Sequence, residues 1–250
     1  MSYSILGDHM KVVYILIFCI FACSSYETKT PRSVQVLSFN TGMANVYLLK
    51  GKINVMIDAG EPSDEKKIEL FLKENGISPK DVSLMILTHG HEDHSGTASY
   101  FQKTYGIKLI GGRGDKTLFA TGKNDELKPT GVFGSIVKLF VKNDYPAIVP
   151  DIWIDSNYSL AEYGIEGEII PLGGHTDGAV AVILEREFAF VGDLLRGSPF
   201  SAHSPTEHFF HQDRQKVKNN IKILLDKGIQ VFYPGHWGPL KQEDVVKEFF

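Results

Sequence analysis

Between residues 33 and 60 the chain alternates apolar and polar positions in three bursts, SVQVLSF (33–39), NVYLLKG (45–51) and INVMIDAG (53–60). Each is rich in β-branched or aromatic residues and punctuated by Gly42, Gly51 or Gly60, which predicts three strands. The period then lengthens. In PSDEKKIELFLKENG (62–76), Ile68, Leu70, Phe71 and Leu72 supply an apolar face between Pro62–Ser63 and Gly76, as expected of a helix. DVSLMILT (81–88) is nearly continuous in its apolar residues, the pattern of a strand covered on both faces. A helix over SGTASYFQKTYG (95–106) and a strand over IKLIGG (107–112) follow. Residues 116–150 are the least regular. There VFGSIVKLF (132–140) spaces Val132, Ile136 and Phe140 along one helical face; core packing is expected of it, with a cap on a site or a membrane contact as alternatives. Strands resume at 167–174, 179–185 and 187–193, then an amphipathic helix over 213–228 and a last strand over 229–235. Strand clusters in both halves with helices between them predict an α/β fold of two sheets held between outer helices.

Composition changes this picture little. A chain of 250 residues that is 43% apolar and 22% charged is long enough for one sizeable globular domain. Its formal net charge of −4 gives no global attraction for nucleic acid, and none is expected as a partner.

The N-terminus does change it. Met10-Lys11 precedes VVYILIFCIFAC (12–23), an apolar run too short to span a bilayer comfortably but suited to a signal-peptide core, with Met10 a natural alternative start. The ending at Ala22-Cys23 resembles the lipobox of bacterial lipoproteins, which implies lipidation of Cys23, export and a membrane anchor. An ordinary signal peptide or a retained anchor is the alternative. The expected organisation is a signal segment over 1–22, a polar tether over 23–32 and one domain over 33–250. Cys19 and Cys23 are the only cysteines, so that domain has no thiol to offer as ligand, nucleophile or crosslink.

The chemistry concentrates where apolar strands stop. THGHEDHSG (88–96) packs His89, His91, Asp93 and His94 into six positions directly after a strand. His175 follows the strand at 167–174, Asp193 ends the strand at 187–193, and His236 follows the one at 229–235. Residues at neighbouring strand ends can converge on one sheet edge. Crowded imidazoles and carboxylates need a counter-charge, and neutral imidazole with carboxylate suits zinc, with iron or manganese as alternatives.

H-x-H-x-D-H, GGHTDG around His175, VGDLL around Asp193 and YPGHWG around His236 resemble, in order, the metal signature of the metallo-β-lactamase superfamily. IDAG around Asp58 resembles its early aspartate motif, although a turn aspartate before Gly60 would read the same way. The resemblance covers residues 33–250. It implies a four-layer αββα sandwich of two mixed β-sheets flanked by helices. It further implies two divalent ions: His89, His91 and His175 on one, Asp93, His94 and His236 on the other, Asp193 bridging, and Asp58 orienting an imidazole. A metal-bridging hydroxide would then hydrolyse a small ester, thioester, lactone or amide, with Asp93 holding the nucleophile and taking its proton.

Departures from the named subfamilies narrow the substrate. Asp193 stands where several β-lactamases carry cysteine or serine. The chain ends fourteen residues after His236, too soon for the glutathione-binding extension of glyoxalase-II-like thioesterases. Arg196 occupies the position of a lactonase tyrosine and could bind a substrate carboxylate or phosphate, or be a solvated loop arginine. No appended flavin domain is expected, which argues against oxygen reduction of the flavodiiron kind, and the complete second ligand set argues mildly against a single-iron sulfur dioxygenase. Of the loop histidines His203, His208 and His211, one is expected at most to line the pocket, with His208 named as a substrate contact. The Arg113-Gly114-Asp115 tripeptide reads as a turn. A phosphodiesterase of the same fold and a non-catalytic surface metal-binding or adhesion lipoprotein are the competing functions. The sequence is silent on oligomeric state.

Overall fold

In the computed structural model, which describes residues 28–250, the three opening bursts are strands β1 (Gln35–Asn40), β2 (Asn45–Lys50) and β3 (Asn54–Ile57). The N-terminal apolar run and Cys23 lie outside the described residues. Helix α1 (Glu65–Glu74) turns Ile68, Phe71 and Leu72 inward and stops before Gly76, which adopts the left-handed φ of 72°. Strand β4 (Val82–Leu87) leads into a single turn, α2 (Glu92–Ser95), then α3 (Ala98–Tyr105) and β5 (Lys108–Gly112).

The stretch from 116 to 150 is more structured than its sequence pattern predicts, with α4 (Lys116–Thr121) and α5 (Val132–Val137). Core packing of the second does not hold: Val132, Leu139 and Phe140 are 82%, 80% and 80% exposed. The remaining elements are β6 (Ile152–Ile154), β7 (Tyr158–Ser159), β8 (Gly167–Pro171), β9 (Val180–Leu184), β10 (Phe188–Gly192), the hairpin β11 (Arg196–Ser198) and β12 (Ser201–Thr206), α6 (Arg214–Asp226), β13 (Val231–Pro234), β14 (Leu240–Lys241) and α7 (Gln242–Phe249).

Strands β1 to β6 form one sheet in sequence order, antiparallel up to β3 and parallel beyond it. The second sheet runs β14-β13-β10-β9-β8-β7, with β10 and β13 its parallel pair. The period of two in each strand decides what lies between them. Tyr47 and Leu49 of β2, Leu84 and Ile86 of β4, and Phe188 and Phe190 of β10 meet in one apolar layer between the sheets. Their neighbours Val46, Leu48, Met85 and Leu87 face the other way, against Ile68, Leu72 and Phe101 of the first helix layer. On the far side Ala189 and Val191 pack against Val217, Ile221 and Leu224 of α6 and Val245 of α7. The result is the expected α/β sandwich of two mixed sheets between helices.

Candidate metal centre

Strand ends bring the histidines together. His89 and His91 leave the end of β4, and α2 carries Asp93 and His94 one turn on. His175 follows β8, Asp193 follows β10 and His236 follows β13, so both sheets supply ligands to the same edge. Two groups have donor atoms mutually within 4.8 Å: His89, His91 and His175, and Asp93, His94, Asp193 and His236. Asp193 is at the centre. Its Oδ2 lies 3.3 Å from His236 Nε2, 3.6 Å from His175 Nε2 and 3.8 Å from His89 Nε2, while Oδ1 lies 3.3 Å from His94 Nε2.

The outward nitrogens determine which way the rings present their lone pairs. His94 Nδ1 donates to Asp58 Oδ2 at 2.8 Å, and Asp58 is itself fixed by the Thr88 amide and hydroxyl at 2.7 and 2.8 Å. Since the Thr88 hydroxyl donates to Asp58, its oxygen accepts from His89 Nδ1 at 3.1 Å. His91 Nε2 donates to Asp125 at 3.0 Å, His175 Nδ1 to the Phe210 carbonyl at 2.9 Å and His236 Nδ1 to the Met43 carbonyl at 2.7 Å. With its outward nitrogen so occupied, each of the five imidazoles, when neutral, aims a lone pair inward. His175 Nε2 and His91 Nδ1 face each other at 3.1 Å, lone pair to lone pair, and His236 Nε2 sits 3.4 Å from the Asp93 carboxylate. His89 Nε2, His94 Nε2 and Asp193 Oδ1 are buried without any hydrogen-bond partner. Such an arrangement is repulsive until a cation enters it, so the residues present fit divalent metal.

Charge effects separate two kinds of ring: burial dominates at His89 and His175, whereas the neighbouring carboxylates dominate at His94 and His236. Burial holds His89 and His175 well below the ordinary histidine range, neutral and ready to ligate. Burial opposes a charged His94 as well, but Asp193, Asp93 and Asp58 outweigh it and hold that ring well above its ordinary range. A proton there does what a metal ion would do. Glu92, the other carboxylate of the opening motif, belongs to none of the donor groups; burial with Asp93 and Glu61 nearby pushes it up to about 7.

The loop residues take more definite places than their sequence suggests. His208 is buried with Nε2 3.1 Å from Asp193 Oδ2, so it forms a third donor group with His175 and Asp193. His211, expected to be solvated, is also buried, with its Nδ1 3.4 Å from that of His175. Arg196 is 8% exposed and does not line the cavity: its guanidinium stacks 3.8 Å over the Phe209 ring and donates to the Gly197 carbonyl. Asp115 was legible only as part of a turn. It is 1% exposed and accepts from the Gly90 amide, the Thr176 hydroxyl and the Gly178 amide, joining the His89–His91 loop to the His175 loop. Buried there, the tripeptide 113–115 offers no aspartate for adhesion. Asp125, which orients His91, lies in a stretch with no periodic signal at all.

The donors open into a cavity of about 310 Å³ whose lining includes Asp93, Asp193, His91, His208 and His236. Residues 40–236 match the family model of the metallo-beta-lactamase superfamily. The chain is 30% identical over 199 residues to a probable metallo-hydrolase of Methanocaldococcus jannaschii, covering 77% of this chain and 87% of that one. It is 33% identical over 234 residues to metallo-beta-lactamase domain-containing protein 1 of Xenopus laevis, covering 87% and 85%. A solved class B3 di-zinc metallo-beta-lactamase from an Alaskan soil metagenome superposes with a TM-score of 0.58 at 16% identity, covering 81% of this chain and 76% of that one. The chain belongs to the metallo-beta-lactamase superfamily, and it is a metal-dependent hydrolase.

Proposed function

We propose that the centre holds two divalent ions, zinc in the first instance, and hydrolyses a small ester, thioester, lactone or amide. The observation that carries this is the ring of inward lone pairs around Asp193, too many for one four-coordinate ion. His89, His91 and His175 would hold one ion, Asp93, His94 and His236 the other, with Asp193 shared. Such ions would supply a water acidified to near neutrality and would stabilise negative charge developing on the substrate. The chain's own residues do the rest. Asp93 lines the cavity, where its carboxylate can align the attacking water and accept its proton. Asp58, Asp125 and the Met43 and Phe210 carbonyls keep four rings in one tautomer, so no reorganisation is needed during turnover. Arg196 holds Phe209 against the cavity rather than meeting the substrate.

Against a phosphodiesterase, no lysine or arginine among the described residues lines the cavity. The test is a chelator-controlled hydrolysis screen with parallel metal analysis. His91→Ala and Asp193→Ala should abolish turnover and lower metal content; full activity in both would overturn the assignment. We also propose that the protein is exported and anchored through Cys23. Cys23→Ala should release it from membranes, and unchanged membrane association would exclude the lipid.

A further inference from the structure

The wall of the cavity says more about the substrate than its donors do. Leu127, Phe133, Val137, Val141, Phe209 and Trp237 supply much of its apolar surface, and among the described residues no lysine or arginine lines it. The Arg196 guanidinium, which is not part of that lining, stacks on the Phe209 ring and donates to the Gly197 carbonyl. A substrate carrying a carboxylate or phosphate on this side would have its charge desolvated against aliphatic carbon without a partner. Apolar surface continues outward from the same wall. Phe133 both lines the cavity and is 61% exposed, and Ile136, Leu139, Phe140 and Phe200 beyond it are exposed as well. An exposed apolar surface continuous with a cavity marks a place where an apolar ligand is met.

Resting on the hydrolase reading above, we propose that the substrate is a carboxylic ester with an uncharged aliphatic acyl chain. The chain lies between Leu127, Val137, Val141 and Phe209, with its outer end along the 132–140 segment and its carbonyl at the Asp93–Asp193 end. In the reaction the oxygen of water bonds to the acyl carbon and the acyl C–O bond breaks. The proton leaving the water is held by Asp93 and ends on the departing alkoxide, so the products are a fatty acid and an alcohol.

The test uses the full-length, zinc-loaded protein and p-nitrophenyl acetate, butyrate, hexanoate and octanoate, with a hexanoate analogue ending in a second carboxylate. We expect kcat/KM to rise about fourfold per methylene buried, equivalent to about 0.8 kcal/mol each, until the cavity is filled. The carboxylate-ended ester should lose that gain, and Val137→Asp should flatten the series. A second readout does not depend on turnover: quenching of Trp237 fluorescence by butanol, hexanol and octanol, with Trp237→Phe as the blank. Affinity rising with chain length supports the acyl cavity even if every ester is inert, in which case the hydrolytic reading alone fails. Chelator-sensitive turnover and alcohol binding that are both indifferent to chain length, or equal turnover of the carboxylate-ended ester, would overturn the acyl cavity and leave the hydrolase standing.

Discussion

Asp58 touches no substrate, yet Asp58→Asn should weaken metal binding more than its distance from the cavity suggests. The carboxylate accepts three hydrogen bonds: the Thr88 amide on Oδ1, and the Thr88 hydroxyl and His94 Nδ1 on Oδ2. Asparagine retains one acceptor oxygen. If it stays on the Thr88 amide, an NH2 group faces His94 Nδ1, which must then accept and pass its proton to Nε2. A protonated Nε2 cannot ligate. Removing an outer partner of this kind costs about 10- to 100-fold in metal affinity, or about 1.4 to 2.8 kcal/mol. The backbone is not the cause, because Asp58 has a φ of 63° and asparagine tolerates the left-handed region as aspartate does. Losing a hydrogen bond to a charged group should lower the stability of the metal-free protein by about 1.5 to 3 kcal/mol, short of unfolding it. Competition against a chromophoric chelator measures both ions in turn. We expect one of the two to weaken by that factor, and circular dichroism to show the same fold. Wild-type affinity for both ions in the asparagine variant would refute the role assigned to the Asp58–His94 pair.

The remaining predictions concern packing and pH. A Cβ at Gly235 would lie 2.3 Å from Asp193 Oδ1 and 2.4 Å from His94 Cε1. Gly235→Ala should therefore lower metal content and activity while costing about 1 to 3 kcal/mol of overpacking; full metal loading would contradict it. Asp115→Ala leaves three buried donors without an acceptor, at about 1 to 3 kcal/mol each. Urea denaturation should show a loss of at least about 3 kcal/mol, and a change below about 1 kcal/mol would show the carboxylate to be dispensable. Glu185 accepts from the Ser33 amide and hydroxyl and the Arg32 amide, each at 2.7 Å. Burial opposes its charge, but those donors hold its carboxyl below the ordinary range. A depressed carboxylate stabilises the fold fully above its unfolded value of 4.5, and that contribution disappears as pH falls through its lower folded value. The wild-type advantage over Glu185→Gln, about 1.5 to 3 kcal/mol at pH 7, should shrink in denaturation at pH 3.5. An advantage unchanged at pH 3.5 would show that the charge is not its source.

The sequence by itself determined the layers and picked out the candidate donors that the fold brings together. The short, nearly continuous apolar run VSLMIL reads as a strand with two buried faces, and the helical period of 213–228 finds its partners on the outer side of the second sheet. His89, His91, Asp93, His94, His175, Asp193 and His236 were legible because each follows a strand whose direction is already fixed. What the sequence could not decide is what each donor leans on. Asp125, Thr88 and the Met43 and Phe210 carbonyls orient imidazoles far from them in the chain or through backbone atoms, which have no signature in residue type. His211 looks like a solvated loop histidine, and His208 like no more than a substrate contact, until the β11–β12 hairpin carries the chain back over the centre. Arg196 reads as a substrate ligand until the same hairpin stacks it behind Phe209. The segment 132–140 has the period of a buried helix, yet it lies at the mouth of the cavity with its apolar side chains exposed. Periodicity reports that a face is apolar, while only the tertiary arrangement decides whether protein or ligand covers it.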